Sequence, residues 1–326
     1  MTLTRIGILG AAKVAEYALI PPVANNDGAI ISAVASRSVE RAHAYAQKHS
    51  IPDISDDYQA LVERDDIDLV YNALPPSEHA AMTIAALRAG KPVLCEKPFA
   101  MNANEARQMV SVAQETGLPL IEAFHYRFHP AFSFLLDEVR KGAIGTIQSI
   151  SGRLTGPLPN TDGEVRYIPE LGGGALMDLG CYPVHLLRTL MGAEPTVTEA
   201  SAVMSESGVD LGLEGHLRFP CGARGKVVCS MAMDAKLGAR LKIVGDAGQI
   251  DFINPLAPHM GHKITVTTGE DKHFKVAIDK TTYACQLEHV LEVLAGATQP
   301  LTGGEDAIAN MTVIDNLYAA AGVKRL

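Results

Sequence analysis

Val93-Leu94-Cys95-Glu96-Lys97-Pro98-Phe99 is the stretch on which the fold turns. It follows Ala89-Gly90-Lys91-Pro92, a helix-stop signal, so its apolar start reads as a buried parallel strand. Glu96 and Lys97 end the run. Pro98 offers no ladder N–H, which forbids the strand to continue, and it biases Lys97 towards an extended backbone. A lysine is thereby set at the carboxyl end of a parallel strand, the edge at which open α/β sheets bind ligands. Taken alone, a lysine there reads first as a surface cap to the strand.

Upstream, Arg5-Ile6-Gly7-Ile8-Leu9 is a short apolar strand, and Gly10-Ala11-Ala12-Lys13-Val14-Ala15 opens a helix running towards Asn25-Asn26-Asp27-Gly28. Strand, turn and helix are the context of a dinucleotide fingerprint. The fingerprint is degenerate, Gly10-x-Ala12-x-x-Ala15, and a plain βα turn fits it about as well. Gly10 suits the tight turn; the Ala12 methyl limits approach of a pyrophosphate. The next strand, Ala29 to Ala35, ends in Ser36-Arg37-Ser38, with Arg41 one turn into the following helix. An acidic residue belongs at this strand end when a ribose 2′-hydroxyl is held. Here Arg37 offers a planar fork that matches phosphate, and the two serines offer hydroxyl donors. NADP is therefore expected, with NAD as the alternative. A solvated turn is the other reading of Arg37.

Asp68 to Leu74 is the fourth strand, and Leu74-Pro75-Pro76-Ser77-Glu78-His79 carries it over the carboxyl edge into a helix. His79 reads equally as structural or as a wall of the nicotinamide pocket. Strand 93–99, helix 104–116 and strand 118–124 complete an alternation that means a doubly wound parallel sheet, expected over residues 1–125.

Residues 126–326 change pattern. His125-Tyr126-Arg127-Phe128-His129-Pro130 is dense in polar aromatics just past a strand end. Strands are expected at 144–155, 196–204, 211–219, 224–233, 241–244, 249–253, 263–267 and 273–278, interrupted by one strong helix near 174–191 and closed by helices at 283–295 and 305–321. Neighbouring strands without intervening helices imply an antiparallel sheet, hence a second, α+β domain. Gly172-Gly173-Gly174-Ala175-Leu176-Met177-Asp178-Leu179-Gly180-Cys181-Tyr182-Pro183-Val184-His185 is its centre of gravity. The glycines allow close approach of backbone to a ligand. Asp178, Tyr182 and His185 share roughly one helix face, and Pro183 predicts a kink or irregular turn. A buried hydrogen-bonded cluster and a catalytic face turned towards Lys97 are both readings of that face.

Composition bounds the function. At 326 residues, 47% of them apolar, two domains with sizeable cores are the natural prior. A net charge of −9 argues against non-specific nucleic-acid binding. The five cysteines form no CxxC pair and are odd in number, which fits a reducing cytosol. No apolar run approaches a membrane span, and Met1 to Arg5 runs straight into a strand, so a cytoplasmic protein without a signal peptide is expected. No His/Cys/Asp/Glu cluster stands at metal-ligand spacing. An antiparallel sheet without helical cover on one face leads to the expectation of a homodimer joined through that face.

The Gly10 turn, Glu96-Lys97-Pro98, Glu122-Ala123-Phe124-His125-Tyr126-Arg127 and the glycine run ending in Asp178 together resemble the glucose–fructose oxidoreductase/inositol dehydrogenase (Gfo/Idh/MocA) family over nearly the whole chain. The resemblance implies a Rossmann domain followed by an open-faced sheet domain, and hydride transfer between NAD(P) and a carbohydrate-like alcohol or ketone. Many members carry Asp-x-x-x-His, with histidine as acid/base; Tyr182 stands there instead. That is similar to the branch of dimeric dihydrodiol dehydrogenase and NADP-dependent xylose dehydrogenases, where lysine and tyrosine serve.

From this follow the expected roles. Lys97, Tyr182 and Asp178 are catalytic: Tyr182 as proton carrier with His185 as alternative, Lys97 polarising the reacting oxygen, and Asp178 orienting the substrate hydroxyl or Lys97. A free phenol titrates near ~10, and a cation within about 4–6 Å lowers it by roughly 1–3 units; Lys97 is the expected cation. Gly10, Ala11, Ala12, Lys13, Val14, Ser36, Arg37, Ser38, Arg41, Leu74, Pro75, His79, Glu96 and Lys97 are expected at the cofactor. Tyr126, Arg127, Arg153, Arg166, Tyr167 and His185 are expected at a sugar, polyol or dihydrodiol substrate, with Arg153 and Arg166 suited to a carboxylate and equally readable as solvated surface charges. A non-catalytic NAD(P)-binding regulator of the same fold is the rival expectation.

Overall fold

The computed structural model describes residues 3–276 and 279–324, divided into two compact units. The first unit runs as far as His125 and takes back Tyr283–Ile308; the second comprises Tyr126–Thr282 and the chain from Ala309.

In the first unit, strands β1 (Thr4–Leu9), β2 (Ala29–Ala35), β3 (Asp53–Ser55), β4 (Leu69–Asn72), β5 (Val93–Cys95) and β6 (Leu120–Glu122) alternate with helices α1 (Ala15–Ala18), α2 (Ile20–Ala24), α3 (Val39–His49), α4 (Tyr58–Val62), α5 (Pro76–Arg88) and α6 (Ala103–Thr116). The sheet order is β3-β2-β1-β4-β5-β6, and every pairing is parallel. The direction of strand succession reverses between β1 and β4, the switch point at which such sheets take ligands. Local chemistry sets the helix starts. Ser38, Asp57 and Asn102 accept backbone N–H groups at the starts of α3, α4 and α6, each such cap being worth about 1 kcal/mol. The single helix expected after Gly10 is two short pieces. It breaks at Leu19, whose φ is −123°, because Pro21 and Pro22 have no N–H to give the Tyr17 and Ala18 carbonyls and so cannot continue α1; they sit instead in the first turn of α2, where no such donor is needed.

The second unit opens with α7 (Pro130–Arg140), then β7 (Ile147–Thr155), a π-helical turn at Leu176–Gly180 leading into α8 (Cys181–Met191), and β8 (Thr196–Met204), β9 (Asp210–Arg218), β10 (Arg224–Ser230), β11 (Gly238–Gly245), β12 (Gln249–Ile253), β13 (Lys263–Thr268) and β14 (Glu270–Phe274). These strands form one eight-stranded sheet, order β14-β13-β12-β11-β7-β10-β9-β8. All its neighbours are antiparallel except β7 and β10. The expected strand at 273–278 begins earlier, and its positions 277 and 278 lie outside the described residues. A Cβ built on Gly152 would meet Pro183 and Leu187 of α8 at 2.8 and 2.9 Å. Glycine there lets α8 lie against β7, on the face that Ile150 also serves. The opposite face is mainly polar, with Val203, Val228, Val244 and Ile253 scattered on it. It presents Ser151, Arg153, Glu214, His216, Lys226, Arg240, Lys242 and Asp251, with Lys226 2.6 Å from Glu214 and Arg240 paired to Asp251. The uncovered face is thus polar, which removes the apolar premise for a sheet-to-sheet contact.

After β14, α9 (Thr282–Leu294) returns to the first unit and α10 (Glu305–Ala320) lies mostly in the second. This corrects the expected domain 126–326, which gives up Tyr283–Ile308 to its neighbour. The reason lies in the stripe Leu287, Val290 and Val293, which joins the core built from Ile6, Ile8, Val34, Leu94 and Ile121. Each such burial contributes about 1.5–3 kcal/mol.

Candidate functional site

Candidate groups gather in each unit separately. In the first they lie at the carboxyl ends of β1, β2, β4, β5 and β6. Gly10 turns the chain at φ +96°, and a Cβ there would lie 3.2 Å from Leu74, so no other residue fits this turn without strain. Gly10 N–H donates to the Ala35 carbonyl at 2.9 Å. The Ala12 carbonyl accepts from Tyr45 Oη at 3.0 Å, and the Ala11 carbonyl from Arg41 Nη2 at 3.5 Å. Lys13 is exposed and Val14 half-buried.

At the end of β2, Ser36 is buried and Arg37 exposed, its N–H donating to Tyr58 Oη at 3.3 Å. Ser38 is occupied twice, capping α3 and donating to Glu40 Oε2 at 2.7 Å. That bond is the leading reason the Glu40 carboxyl sits below its usual range. A carboxylate therefore does stand at this turn. The sequence reading, which looked for one at the strand end itself, passed over it.

Glu96 and Lys97 follow β5 as expected, and the Lys97–Pro98 peptide is cis. Tyr71 Oη donates to Glu96 Oε1 at 2.6 Å, while Glu96 Oε2 accepts the Lys97 N–H at 3.3 Å. Burial foremost, with the Glu96 charge behind it, pushes the Tyr71 phenol up. Pro75 occupies the cap position of α5, and Leu74 beside it is buried. His79 does not serve as a pocket wall. It is 1% exposed, with Nδ1 2.9 Å from the Pro98 carbonyl and Nε2 2.8 Å from the Leu74 carbonyl. Burial, with the Lys97 charge as a smaller contributor, pushes its pKa down to about 4. His79 is a strut between the end of β4 and the turn after Lys97. Past β6, the His125 ring lies 4.2 Å from that of Tyr283, and Tyr283 meets Tyr17 edge-on at 5.6 Å.

In the second unit the glycine run serves the chain itself. A Cβ on Gly173 would lie 2.7 Å from the Arg166 carbonyl, and one on Gly174 would strike the Asp210 carboxylate. Asp210, 1% exposed, accepts the Leu176 N–H at 2.8 Å and the Tyr318 hydroxyl at 2.7 Å. It thereby anchors the start of the segment bearing Asp178 and Tyr182. Pro183 comes just after the π turn. A proline cannot donate to the carbonyl four residues back and clashes with it, and the wide turn absorbs that conflict.

Asp178 Oδ2 accepts from Arg166 Nε at 2.6 Å, and Glu164 Oε1 accepts from Arg166 Nη1 at 2.9 Å. Asp178 is the leading reason the guanidinium is held in its charged form. With two carboxylates already on it, Arg166 is not the carboxylate receptor expected. Tyr126, fully buried, shares a short hydrogen bond with His185 Nδ1 and lies 6.2 Å from the Tyr182 ring, centroid to centroid. Tyr126, Tyr182 and His185 are thus brought together. His185 is 1% exposed, too enclosed for the substrate contact expected of it. Arg127 lies over the Phe132 ring at 5.3 Å. Two further expected contacts are placed as follows. Tyr167 is buried with its hydroxyl on the Leu158 carbonyl at 2.7 Å. Arg153 points away from α8, opposite Arg240 on the polar face.

Asp210, Tyr318 and Tyr71 went unnoticed in the sequence because each meets its partner far along the chain, Asp210 at Leu176, Tyr318 at Asp210 and Tyr71 at Glu96, where no local spacing points. Among the described residues no group of three or more His, Cys, Asp or Glu could hold a metal ion, and no helix is long and apolar enough to cross a membrane.

Comparison with known proteins adds the following. Residues 4–124 match a model described as the oxidoreductase family with NAD-binding Rossmann fold, and residues 134–251 match the GFO/IDH/MocA C-terminal domain. The chain is 36% identical to dTDP-3,4-didehydro-2,6-dideoxy-alpha-D-glucose 3-reductase of Streptomyces violaceoruber, covering 86% of this chain and 82% of that protein. It is 30% identical to D-xylose 1-dehydrogenase (NADP(+)) 2 of Haloferax volcanii, covering 97% and 96%. The crystal structure of a 3-ketoreductase from Actinomadura kijaniata, in complex with NADP and TDP-benzene, superposes with a TM-score of 0.89 at 26% identity over 98% of each chain.

Proposed function

The chain belongs to the GFO/IDH/MocA oxidoreductase family, and from that membership we propose that it transfers hydride between NADP and a secondary or anomeric carbon of a sugar-like substrate. The cofactor, when bound, supplies or accepts the hydride; the protein orients the substrate and moves one proton. The residues present fit the cofactor. Gly10 makes a turn that a Cβ would obstruct, at the switch point of the sheet. Arg37 and Arg41 set two cations against the single Glu40 carboxylate at the turn where a 2′-phosphate is read. The NADP named for the xylose dehydrogenase and the 3-ketoreductase supports the same choice.

Lys97 donates to the reacting oxygen and stabilises alkoxide character there. Tyr182 carries the proton, with Tyr126 and His185 packed behind it. Asp178 and Glu164 neutralise Arg166, so this group draws no anionic carboxylate and offers donor and acceptor edges to neutral hydroxyls. A polyhydroxy substrate, rather than a sugar acid, follows. We place the protein in the cytoplasm as a homodimer, with the polar face of the eight-stranded sheet pairing its acidic and basic side chains with those of a second copy.

The observation that carries this reading is Lys97 itself, set at the ligand-binding edge with its N–H on Glu96 and its turn braced by His79. A panel of aldoses, polyols and keto-sugars assayed with NADP and NADPH tests it. Turnover of at least one substrate is expected, with Lys97→Met lowering kcat by about a thousandfold while NADP still binds. Wild-type turnover in that variant rejects the role of Lys97. Cofactor binding without turnover of any member leaves a regulator in place of an enzyme.

A further inference from the structure

Gln286 stands in the second turn of α9, on the stripe that covers the core of the first unit. Its neighbours along that stripe, Leu287, Val290 and Val293, are apolar and buried in the core cluster. Gln286 is itself only 2% exposed, and its Oε1 has no hydrogen-bond partner among the described residues. A buried amide oxygen without a donor costs about 1–3 kcal/mol, and native chains seldom keep one without a use for it.

The position of α9 says from which side a donor would come. Tyr283, one turn before Gln286, stacks on His125 and meets Tyr17; these belong to the carboxyl edge, beyond β6 and beyond the Gly10 turn. Leu291, further along, lies beside Gly28, which precedes β2 at the opposite edge. Gln286 therefore sits near the end of the sheet that carries Gly10, Glu96 and Lys97. A ligand bound at that edge is the available source of an N–H. The nicotinamide carboxamide is a primary amide carrying two such N–H groups.

We infer that Gln286 Oε1 accepts a hydrogen bond from the carboxamide of the nicotinamide ring, which makes Gln286 a cofactor-binding residue. The inference rests on the NADP reading above and adds the group that orients the reactive ring. It separates from a structural role because the two make opposite demands on the unliganded protein. A glutamine needed for folding is missed when replaced. An orphaned acceptor is not missed by the unliganded chain, since an apolar replacement of similar shape is neutral or stabilising.

The experiment is calorimetric titration of the full chain and its Gln286→Met variant with NADP and with its 3-acetylpyridine analogue, whose methyl ketone has no N–H, alongside the melting temperature of each unliganded protein. The expected result is a roughly tenfold loss of NADP affinity in Gln286→Met, unchanged affinity for the analogue, and an unchanged or higher melting temperature. Equal weakening of both ligands, no weakening of either, or a fall of several degrees in the melting temperature overturns the inference. A wild-type chain that fails to bind NADP overturns instead the cofactor assignment beneath it.

Discussion

Asp210 accepts the backbone N–H of Leu176 at 2.8 Å, tying strand β9 to the start of the segment that bears Asp178 and Tyr182. Its other oxygen takes the Tyr318 hydroxyl. Asp210→Ala therefore removes the acceptor of a buried N–H and of a buried phenol at once. It is expected to lower unfolding stability by about 3 kcal/mol, read by urea denaturation, whereas Tyr318→Phe lowers it by about 1 kcal/mol. Equal effects of the two substitutions would remove Asp210 from this anchoring role.

His79 makes stability depend on acid. Its folded pKa is about 4, against 6.5 in the open chain. Above pH 6.5 both states are neutral and the contribution is complete. As pH falls through 6.5 the unfolded chain takes up a proton that the folded one refuses, so stability declines down to about pH 4. His129, also pushed to about 4 by burial, acts in the same direction. His79→Asn is expected to flatten the fall in urea midpoint between pH 6.5 and 4 by about half. An unaltered slope contradicts the assignment.

The turn after β2 sets two arginines against one carboxylate. Arg37→Ala is expected to weaken NADP about tenfold and to leave NAD nearly unchanged. Glu40→Gln removes the opposing charge and moves NADP affinity the other way by a few-fold. Fluorescence titration of both coenzymes checks this, and parallel changes for NAD and NADP rule out a 2′-phosphate site.

Tyr182→Phe keeps the ring against Tyr126 and deletes only the hydroxyl. Turnover is expected to fall by about a hundredfold or more, with NADP affinity and melting temperature close to wild type. His185→Gln removes the imidazole partner of Tyr126 while leaving the Tyr182 hydroxyl in place. If His185 carried the proton instead, Tyr182→Phe would retain most activity and His185→Gln would lose it.

Strand ends were the most legible part of the chain. Pro98 and the doubled Pro75-Pro76 halt apolar runs, and the halted ends are where Lys97 and the α5 turn lie. The face of Arg153 was also open to reading, because Ser149, Ser151 and Arg153 alternate with Ile150 and Gly152, and side chains in a strand alternate between faces. Gln286 was readable as one amide in an apolar stripe at helical spacing. The meaning of Gly173 and Gly174 was not. A glycine announces that something comes close without saying what, and here it is the Arg166 carbonyl and the Asp210 carboxylate. Nor does local pattern disclose that Arg166 is already neutralised, since Asp178 joins the neighbouring Glu164 on it only once the segment between has turned back.

The return of α9 to the nucleotide-binding lobe has a consequence for biosynthesis. A nascent polypeptide paused anywhere before residue 287 lacks Leu287, Val290 and Val293, which belong to that lobe's core. Residues 126–282 of the second unit are then synthesised before the leading unit can finish, and the second unit itself still waits for the chain from Ala309. Chains truncated after 281 should be cut by protease within residues 1–125, and the full chain should resist there.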